Sequence, residues 1–211
     1  MSTRLIVAII LGGALLAALA FGVGYFAAPS ESTPSTTSAE AGFARDMQVH
    51  HNQAVRMSFI VRENTEDREI ATLAYDIATA QQQQAGQMFG WLEVWGLPQA
   101  ASEPSMTWMS RPTLDGAGHD HGEGDTAHAP GELMPGLATA EQMAELESLT
   151  GVEAEAYYLE LMIAHHEGGV EMAQAVLDRS DNRVVRQLAS GLVAVQEKEI
   201  ALMEELLAER R

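Results

Sequence analysis

Two histidine pairs, each flanked by methionines, are the residues of this chain whose types and spacing suggest chemistry. The pairs are His50-His51 and His165-His166, and in each a methionine stands three positions before the first histidine and another seven after it. Thioether and imidazole groups together suit copper, and thioethers favour Cu(I). The chain has no cysteine, so a soft metal ion would depend on methionine and histidine. The flanking methionines are Met47 and Met57 in the first motif, and Met162 and Met172 in the second.

The two motifs belong to an internal duplication, a feature to look for before any other. A shift of 115 positions superimposes them without a gap, and the match continues well beyond them. So many matches in a single register are not coincidental, and each repeat is expected to adopt the same local fold. The further matches include Arg68 with Arg183, Gln81 with Gln196, Met88 with Met203 and Leu92 with Leu207.

Apolar residues recur at steps of three and four in both repeats, which predicts amphipathic helices. In the first repeat we expect helices over about 39–63 and from the following turn to about 95, with Thr65 as the N-cap of the second. In the second repeat we expect helices over about 152–177 and to about 208, with Ser180 as the corresponding cap. Thr139 and Gln142 form a capping-box pattern that begins a short additional helix.

Short links between long amphipathic helices produce antiparallel helical hairpins. Two hairpins that each expose an apolar stripe bury it on each other, so the sequence predicts an all-α four-helix bundle with a pseudo-twofold axis. The bundle is expected over residues 39–211, with repeat one at 39–96, an insert at 97–138 and repeat two at 139–211.

Helical geometry places the candidate ligands on shared faces. Residues three apart face the same way, so Met47 and His50 lie together, and Met57 lies on that face two turns further on. Met88 is on the second helix of the hairpin at a matching depth. Each repeat therefore offers a thioether and imidazole set; in the first it is Met47, His50 or His51, Met57 and Met88. The candidate metal ligands of both repeats are Met47, His50, His51, Met57, Met88, Met162, His165, His166, Met172 and Met203.

The alternative interpretation is that these methionines fill the core, as methionine often does. Adjacent histidines lie about 100° apart on a helix, so both cannot simply face solvent or both face the core. A buried imidazole without a partner costs free energy, and for that reason we favour metal ligation. Gln81 and Gln196 stand on apolar stripes, where each is expected either to orient a histidine or to lie at the wet edge of the stripe.

The chain matches two known metal-binding motifs only in part. Di-iron bundles carry Glu-x-x-His where this chain has Met-x-x-His, and a thioether in place of a carboxylate moves the preference from iron to copper. His166-Glu167 begins like a zinc-protease helix, but Val170 stands where that motif needs its second histidine. We therefore expect a binding protein rather than an enzyme.

Charge and composition limit the partners. The formal net charge of −18 excludes a nucleic-acid-binding role, which needs a basic face, and electrostatic docking on anionic lipid. The absence of cysteine excludes disulfides, thiolate zinc sites and iron–sulfur clusters. The expected partner is a metal ion, and the sequence identifies no protein partner.

The N-terminal segment predicts export. Residues 5–26 are apolar, and a helix of that length spans roughly 33 Å, about one bilayer core. It exceeds the roughly 7–15 apolar residues of a cleavable signal, which favours a membrane anchor over residues 1–28 against a signal cleaved after Ala27-Ala28. Because Arg4 stays inside, the bundle is expected to face outward as a single-pass membrane protein, or to be secreted or periplasmic after cleavage. Residues 29–38 are expected to be a flexible tether.

The insert contains a second, weaker set of candidates. His119, His121 and His128, with nearby acidic residues, could bind a divalent ion loosely, although a solvated acidic linker is the favoured interpretation. Met106, Trp108 and Met109 are another weak candidate for a soft metal. The segment is expected to be irregular.

The whole motif set resembles the bacterial domain-of-unknown-function family 305. The resemblance rests on Phe43…Met47-x-x-His50-His51-x-x-Ala54-x-x-Met57, on the matching second motif and on the segment 134–143, and it covers about residues 39–207. It implies a ferritin-like bundle, export or membrane anchoring and, in some members, copper binding linked to copper tolerance, with the methionine and histidine positions above as candidate ligands. The chain departs from the family pattern at Glu40 and Glu155, where Asp is common, and at Leu137, where Met is frequent.

The sequence thus predicts an outward-facing bundle that binds copper, with Cu(I) favoured, as a buffer, carrier or resistance protein. One alternative is a ferritin-like metal-dependent oxidase, which would need hard ligands and an open coordination position. The other is a metal-free structural or interaction bundle.

Overall fold

The computed structural model describes residues 12–22, 33–116 and 129–211. It divides the chain into two units, residues 1–33 and residues 34–211. Every regular element among the described residues is helical, and none of them forms a β-strand. The prediction of an all-α protein is therefore confirmed.

In the N-terminal unit, residues 12–22 are helical. Within the described ranges, no helix combines the length and the hydropathy that crossing a bilayer requires. The rest of the apolar segment 5–26 lies outside those ranges, so the membrane anchor stays a prediction.

Among its described residues, the second unit contains four long helices and one short helix. Helices α1 and α2 form one hairpin, α4 and α5 form the other, and α1 packs against α4 between the hairpins. The helices are α1 (Ala39–Asn64), α2 (Arg68–Val94), α3 (Ala140–Ser148), α4 (Gly151–Leu177) and α5 (Arg183–Ala208), with a 3-10 turn at Thr107–Ser110. The duplicated hairpins thus meet through the two helices that carry the histidine pairs.

Helices α1 and α4 run in opposite directions where they meet. Ser58, near the end of α1, lies with its hydroxyl 3.1 Å from the phenol oxygen of Tyr158, near the start of α4. The rings of His50 and His165, in the middle of each helix, are in contact. This antiparallel crossing decides which methionines share a cluster.

The helix starts follow the duplication, but two predicted caps were wrong by two residues. Asp67 caps α2 and Asn182 caps α5, each accepting from two backbone N–H groups of the first turn. The hydroxyls of Thr65 and Ser180 instead accept from the N–H groups of those caps, at 2.9 and 3.1 Å. A side-chain oxygen two residues further on reaches the free amides of the first turn, which is why the acidic and amide residues cap.

The capping box before α3 is confirmed. The Thr139 side chain accepts from the Gln142 backbone N–H at 3.2 Å, and the Gln142 side-chain oxygen accepts from the Thr139 backbone N–H at 2.8 Å. Both exchanges satisfy amides that the first helical turn leaves without partners. Helix α3 packs against both α1 and α4, so it closes one side of the crossing.

Candidate metal centre

The four paired histidines are buried where α1 crosses α4. None exposes any surface to solvent. The ring centroids of His50 and His165 lie 3.7 Å apart at an interplanar angle of 36°. The centroid of His51 is 6.4 Å from that of His50, and the centroid of His166 is 6.4 Å from that of His165. The duplication therefore brings the four imidazoles of both repeats into one centre.

Hydrogen bonds set the tautomer of the two central histidines. The Nε2 atom of His50 lies 3.0 Å from the carbonyl oxygen of Pro135, and the Nε2 atom of His165 lies 2.9 Å from the carbonyl oxygen of His50. Carbonyl oxygens only accept, so each Nε2 carries the hydrogen and a neutral ring keeps its lone pair on Nδ1. Both Nδ1 atoms are buried, and neither has a hydrogen-bond partner among the described residues.

His166 is held in a similar way by a carboxylate. Its Nε2 atom lies 2.8 Å from Oε2 of Glu199, and its Nδ1 atom is buried without a partner in the described part of the chain. The His166 side chain is fully buried, whereas that of Glu199 is 24% exposed. An ionised carboxylate also only accepts. When this ring is neutral, its lone pair therefore lies on Nδ1, as in the two central histidines.

His51 has no such fixed partner within residues 33–116 and 129–211. Neither ring nitrogen makes a hydrogen bond of good geometry, and the neighbouring Gln84 side chain has its own buried Oε1 atom unpaired. His51 occupies the position in repeat one that His166 occupies in repeat two. The two repeats therefore hold their second histidine differently.

Burial keeps the central imidazoles uncharged at neutral pH. Desolvation lowers the pKa of His50 to about 4, against a weaker opposite effect of the Pro135 carbonyl. Desolvation and the adjacent His50 lower the pKa of His51 to about 3, and the same causes bring the pKa of His165 well below its usual value. Only neutral imidazole binds a metal ion, so these rings are in the state that ligation needs.

The candidate methionines fall into two buried clusters, each drawn from both repeats. All six are fully buried. The first methionine cluster contains Met47, Met88, Met106, Met134 and Met172, and the second contains Met57, Met143, Met162 and Met203.

The register of 115 positions relates the candidate ligands of one cluster to those of the other cluster. Met47 and Met88 map onto Met162 and Met203, and Met57 maps onto Met172. The expected grouping of Met57 with the ligands of its own repeat was therefore wrong. Because α1 and α4 are antiparallel, a residue seven positions beyond His50 lies beside the half of α4 that precedes His165.

A short segment of the insert covers the histidine centre. We call residues 134–138 the strap. Its Pro135 carbonyl binds His50, and Gly168 of α4 allows the approach, since a Cβ atom there would overlap the Pro135 oxygen. Gly136 has a φ of +70° and lies against the backbone of Ala164, which only glycine permits.

A glutamine of α1 also binds the strap, through two hydrogen bonds. The Gln53 side chain donates to the carbonyl oxygen of Ala138 and accepts from its N–H group, both at 2.8 Å. Sequence reasoning missed both Pro135 and Gln53. The signal available was Gly168-Gly169 within a helix, since paired helical glycines indicate close approach of another group.

Other predicted residues take different places. Gln81 and Gln196 are buried, and no hydrogen bond joins either to a histidine within the described ranges; both side-chain polar atoms of Gln81 and Oε1 of Gln196 lack partners there. Glu199, which sequence reasoning missed, is the residue that binds a histidine. Its signal was the register, since Glu199 maps onto Gln84.

Some of the candidate residues of the insert lie within the described ranges, and the others lie outside them. Met106 and Trp108 are buried, and Met109 packs against them, in the first methionine cluster. The buried carboxylate of Asp46 holds them by accepting from the Met106 N–H at 2.7 Å and from Trp108 Nε1 at 2.9 Å. His119, His121 and His128 lie outside the described residues.

Within the described ranges, no three His, Asp or Glu side chains are grouped closely enough to hold a metal ion by themselves. Four of the clustered methionines, Met47, Met57, Met162 and Met172, lie on the same helices as the histidines, and Met88 and Met203 lie on the second helix of each hairpin.

Comparisons with known proteins agree with this architecture. A family model described as "Domain of unknown function (DUF305)" matches residues 40–207. A DUF305 protein from Streptomyces coelicolor, thought to be secreted, is 49% identical, with 83% of this chain and 96% of that one aligned at a TM-score of 0.71. A DUF305 fragment from Deinococcus radiodurans is 31% identical, with 83% and 99% aligned at a TM-score of 0.64.

A more distant likeness is confined to the fold. CopM in its Cu(I)-bound form is 18% identical, with 82% of this chain and 96% of that one aligned at a TM-score of 0.59. The comparison with curated proteins gives no match.

Proposed function

This chain belongs to the DUF305 family, and on that premise we propose that it is an extracytoplasmic protein that binds copper, preferentially Cu(I), through methionine and histidine side chains. The ferritin-like bundle provides the scaffold. The role is storage, carriage or detoxification of the ion rather than catalysis, and copper is the cargo.

The observation that carries this proposal is the set of three buried Nδ1 atoms, on His50, His165 and His166, that have no hydrogen-bond partner among the described residues. A buried polar atom without a partner costs about 1–3 kcal/mol. A metal ion would supply the missing partner, and the second ring nitrogen of each histidine is already bonded to an oxygen that fixes the ring. Metal-binding histidines are commonly held in this way.

The methionine clusters support the choice of metal. Thioethers bind Cu(I) well and add little to the affinity for Zn(II) or Mg(II). The pseudo-symmetry gives each cluster the same candidate ligands, so we expect two Cu(I) ions per chain. The first would use Met47, Met88 and Met172, and the second Met57, Met162 and Met203, each with adjacent imidazole.

Two relatives support the proposal from outside the chain. Structures of CopM include Cu(I)-bound, Cu(II)-bound and Ag-bound forms, so a similar fold holds copper and silver ions. The relative from Streptomyces coelicolor thought to be secreted, together with the apolar segment 5–26, supports export, with that segment as anchor or cleaved signal.

Competition against a Cu(I) chelator under anaerobic, reducing conditions tests the proposal on the full chain in detergent. We expect two bound Cu(I) in the unchanged protein and one after Met47→Leu with Met172→Leu. Leucine conserves volume and removes the thioether, so each substitution should change the unfolding free energy by less than about 1.5 kcal/mol.

The matched control is Met143→Leu, a buried methionine of the second cluster that comes from α3 and is outside the proposed ligand set. It should keep both ions, as should the triple alanine variant of His119, His121 and His128. Failure of the unchanged protein to bind Cu(I) would leave the metal-free bundle as the better interpretation. Copper-dependent oxygen consumption would favour the oxidase.

A further inference from the structure

The second histidine of each motif lies beside a different residue type in the two repeats, although the two neighbours occupy equivalent positions. In repeat two, Nε2 of His166 lies 2.8 Å from the carboxylate of Glu199. The shift of 115 carries His166 to His51 and Glu199 to Gln84. In repeat one the neutral amide of Gln84 lies beside His51, without a hydrogen bond of good geometry to its ring. One half of the centre thus contains a negative charge that the other half lacks.

A carboxylate bonded to a ligand imidazole changes what the imidazole binds. It fixes the Nε2–H tautomer, turns the Nδ1 lone pair toward the metal and raises the basicity of the ring. It also supplies a negative charge, which favours a divalent ion over a monovalent one at the same ligands. An amide can orient the ring but supplies no charge.

The surroundings of Glu199 allow it to act on a hydrated ion. Its side chain is 24% exposed while that of His166 is fully buried, so the pair links solvent to the centre. Tyr158 is a titratable group near it, and the proximity of Glu199 helps to raise the pKa of that phenol, whose main cause is burial. Tyr158 is therefore neutral and does not compensate the carboxylate charge.

We propose that Glu199 is a positioning residue that allows the half of the centre containing His166 to bind Cu(II). The half containing His51, where Gln84 stands in place of Glu199, binds only monovalent Cu(I). The inference rests on the proposed copper function and adds a specificity to it. It assigns different oxidation states to two halves that share the same candidate ligands.

The register supplies both the test and its controls. Glu199→Gln makes repeat two like repeat one, and Gln84→Glu makes repeat one like repeat two. Two positions earlier, Glu197 maps onto Gln82, and both are exposed. Glu197→Gln and Gln82→Glu therefore make the same charge changes away from the histidines.

Cu(II) and Cu(I) affinities are measured separately on the full chain, each by chelator competition, with the Cu(II) electron paramagnetic resonance spectrum as a direct readout. We expect Glu199→Gln to lower the Cu(II) affinity about ten- to a hundredfold and, at the same total copper concentration, to reduce the signal of nitrogen-ligated Cu(II). The Cu(I) affinity should fall much less. Gln84→Glu should add a second Cu(II) ion, and Glu199→Asp should restore part of the lost affinity.

Three results would overturn the inference while leaving copper binding intact. The first is a chain that binds Cu(I) but no Cu(II). The second is an equal loss of both ions in Glu199→Gln, which would indicate a purely structural role. The third is an equal effect of Glu197→Gln, which would indicate the net charge of the surface. A chain that binds neither ion contradicts the proposed function itself.

Discussion

Position 53 in repeat one and position 168 in repeat two occupy the same place in the duplicated hairpin, yet they make opposite contributions to one contact. Gln53 extends from α1 and fastens the strap at Ala138, whereas Gly168 leaves room on α4 for the Pro135 carbonyl. A single strap therefore needs a long side chain on one repeat and no side chain on the other. The repeats are alike at the centre and differ where a third segment binds only once.

The likeness at the centre extends to both histidine pairs and to the exchanged methionine clusters. The differences extend to Glu199 against Gln84 and to Tyr158 against Phe43. Each difference changes hydrogen bonding or charge without changing the helix that carries it. Substitutions that make equivalent positions of the two repeats differ, or that make them the same, test how far the two repeats are equivalent.

The largest expected effect concerns the shared centre and is a dependence on pH. The folded protein holds His50 with a pKa of about 4 and His51 with a pKa of about 3, whereas the unfolded chain has values near 6.5. Between about pH 6.5 and 4 the unfolded state binds more protons. The stability that neutral burial provides is thus complete above about pH 6.5 and is lost as the pH falls toward 4.

Each such histidine contributes a slope of about 1.4 kcal/mol per pH unit in that window, or about 3 kcal/mol for His50 alone. Urea unfolding at several pH values between 7.5 and 4.5 measures it. His51→Gln removes one titrating ring, so its slope should be smaller by about 1.4 kcal/mol per unit. An unchanged slope in that variant would show that His51 remains protonatable in the fold.

The next largest effect concerns the strap. Gly168→Ala would place a Cβ atom on top of the Pro135 oxygen, so the strap must shift and the bond to His50 must lengthen. We expect a loss of about 3 kcal/mol in unfolding free energy, from overpacking and from the lost hydrogen bond. Faster exchange of the Ala138 amide hydrogen should accompany it.

Gly191→Ala is the matched control for this change. Gly191 lies within α5, and a Cβ atom added there would meet no neighbouring side chain of the described residues within 4 Å. Alanine should therefore stabilise the helix by roughly 0.5–1 kcal/mol. Equal effects of the two substitutions would mean that the strap does not depend on the space that Gly168 provides.

The sequence was sufficient for the parts of the molecule that depend on periodicity and register. The four long helices, the duplication and the placement of His50 and His165 in equivalent positions follow from residues three, four and 115 apart. The strap could not be predicted in this way, because Pro135 reaches His50 across 85 positions without any periodic signal. The grouping of Met57 with Met162 depends on the direction in which α1 crosses α4, and ligand spacing within one helix contains no information about that direction.

The smallest expected effect concerns a pair of positions at which the register exchanges a polar contact for an apolar one. Tyr158 and Ser58 are both fully buried and lie 3.1 Å apart through their oxygens; their counterparts in the other repeat are Phe43 and Ala173. Ser58→Ala or Tyr158→Phe alone leaves one buried hydroxyl without its partner and should cost about 1–2 kcal/mol. The double variant removes both hydroxyls. It places Phe and Ala at this end of the α1–α4 crossing, as Phe43 and Ala173 already are at the other end. Its cost in urea unfolding should therefore be smaller than the sum of the two single costs by about 1 kcal/mol. Strictly additive costs would show that the hydroxyls do not depend on each other, and the difference between the two ends would then have no energetic consequence.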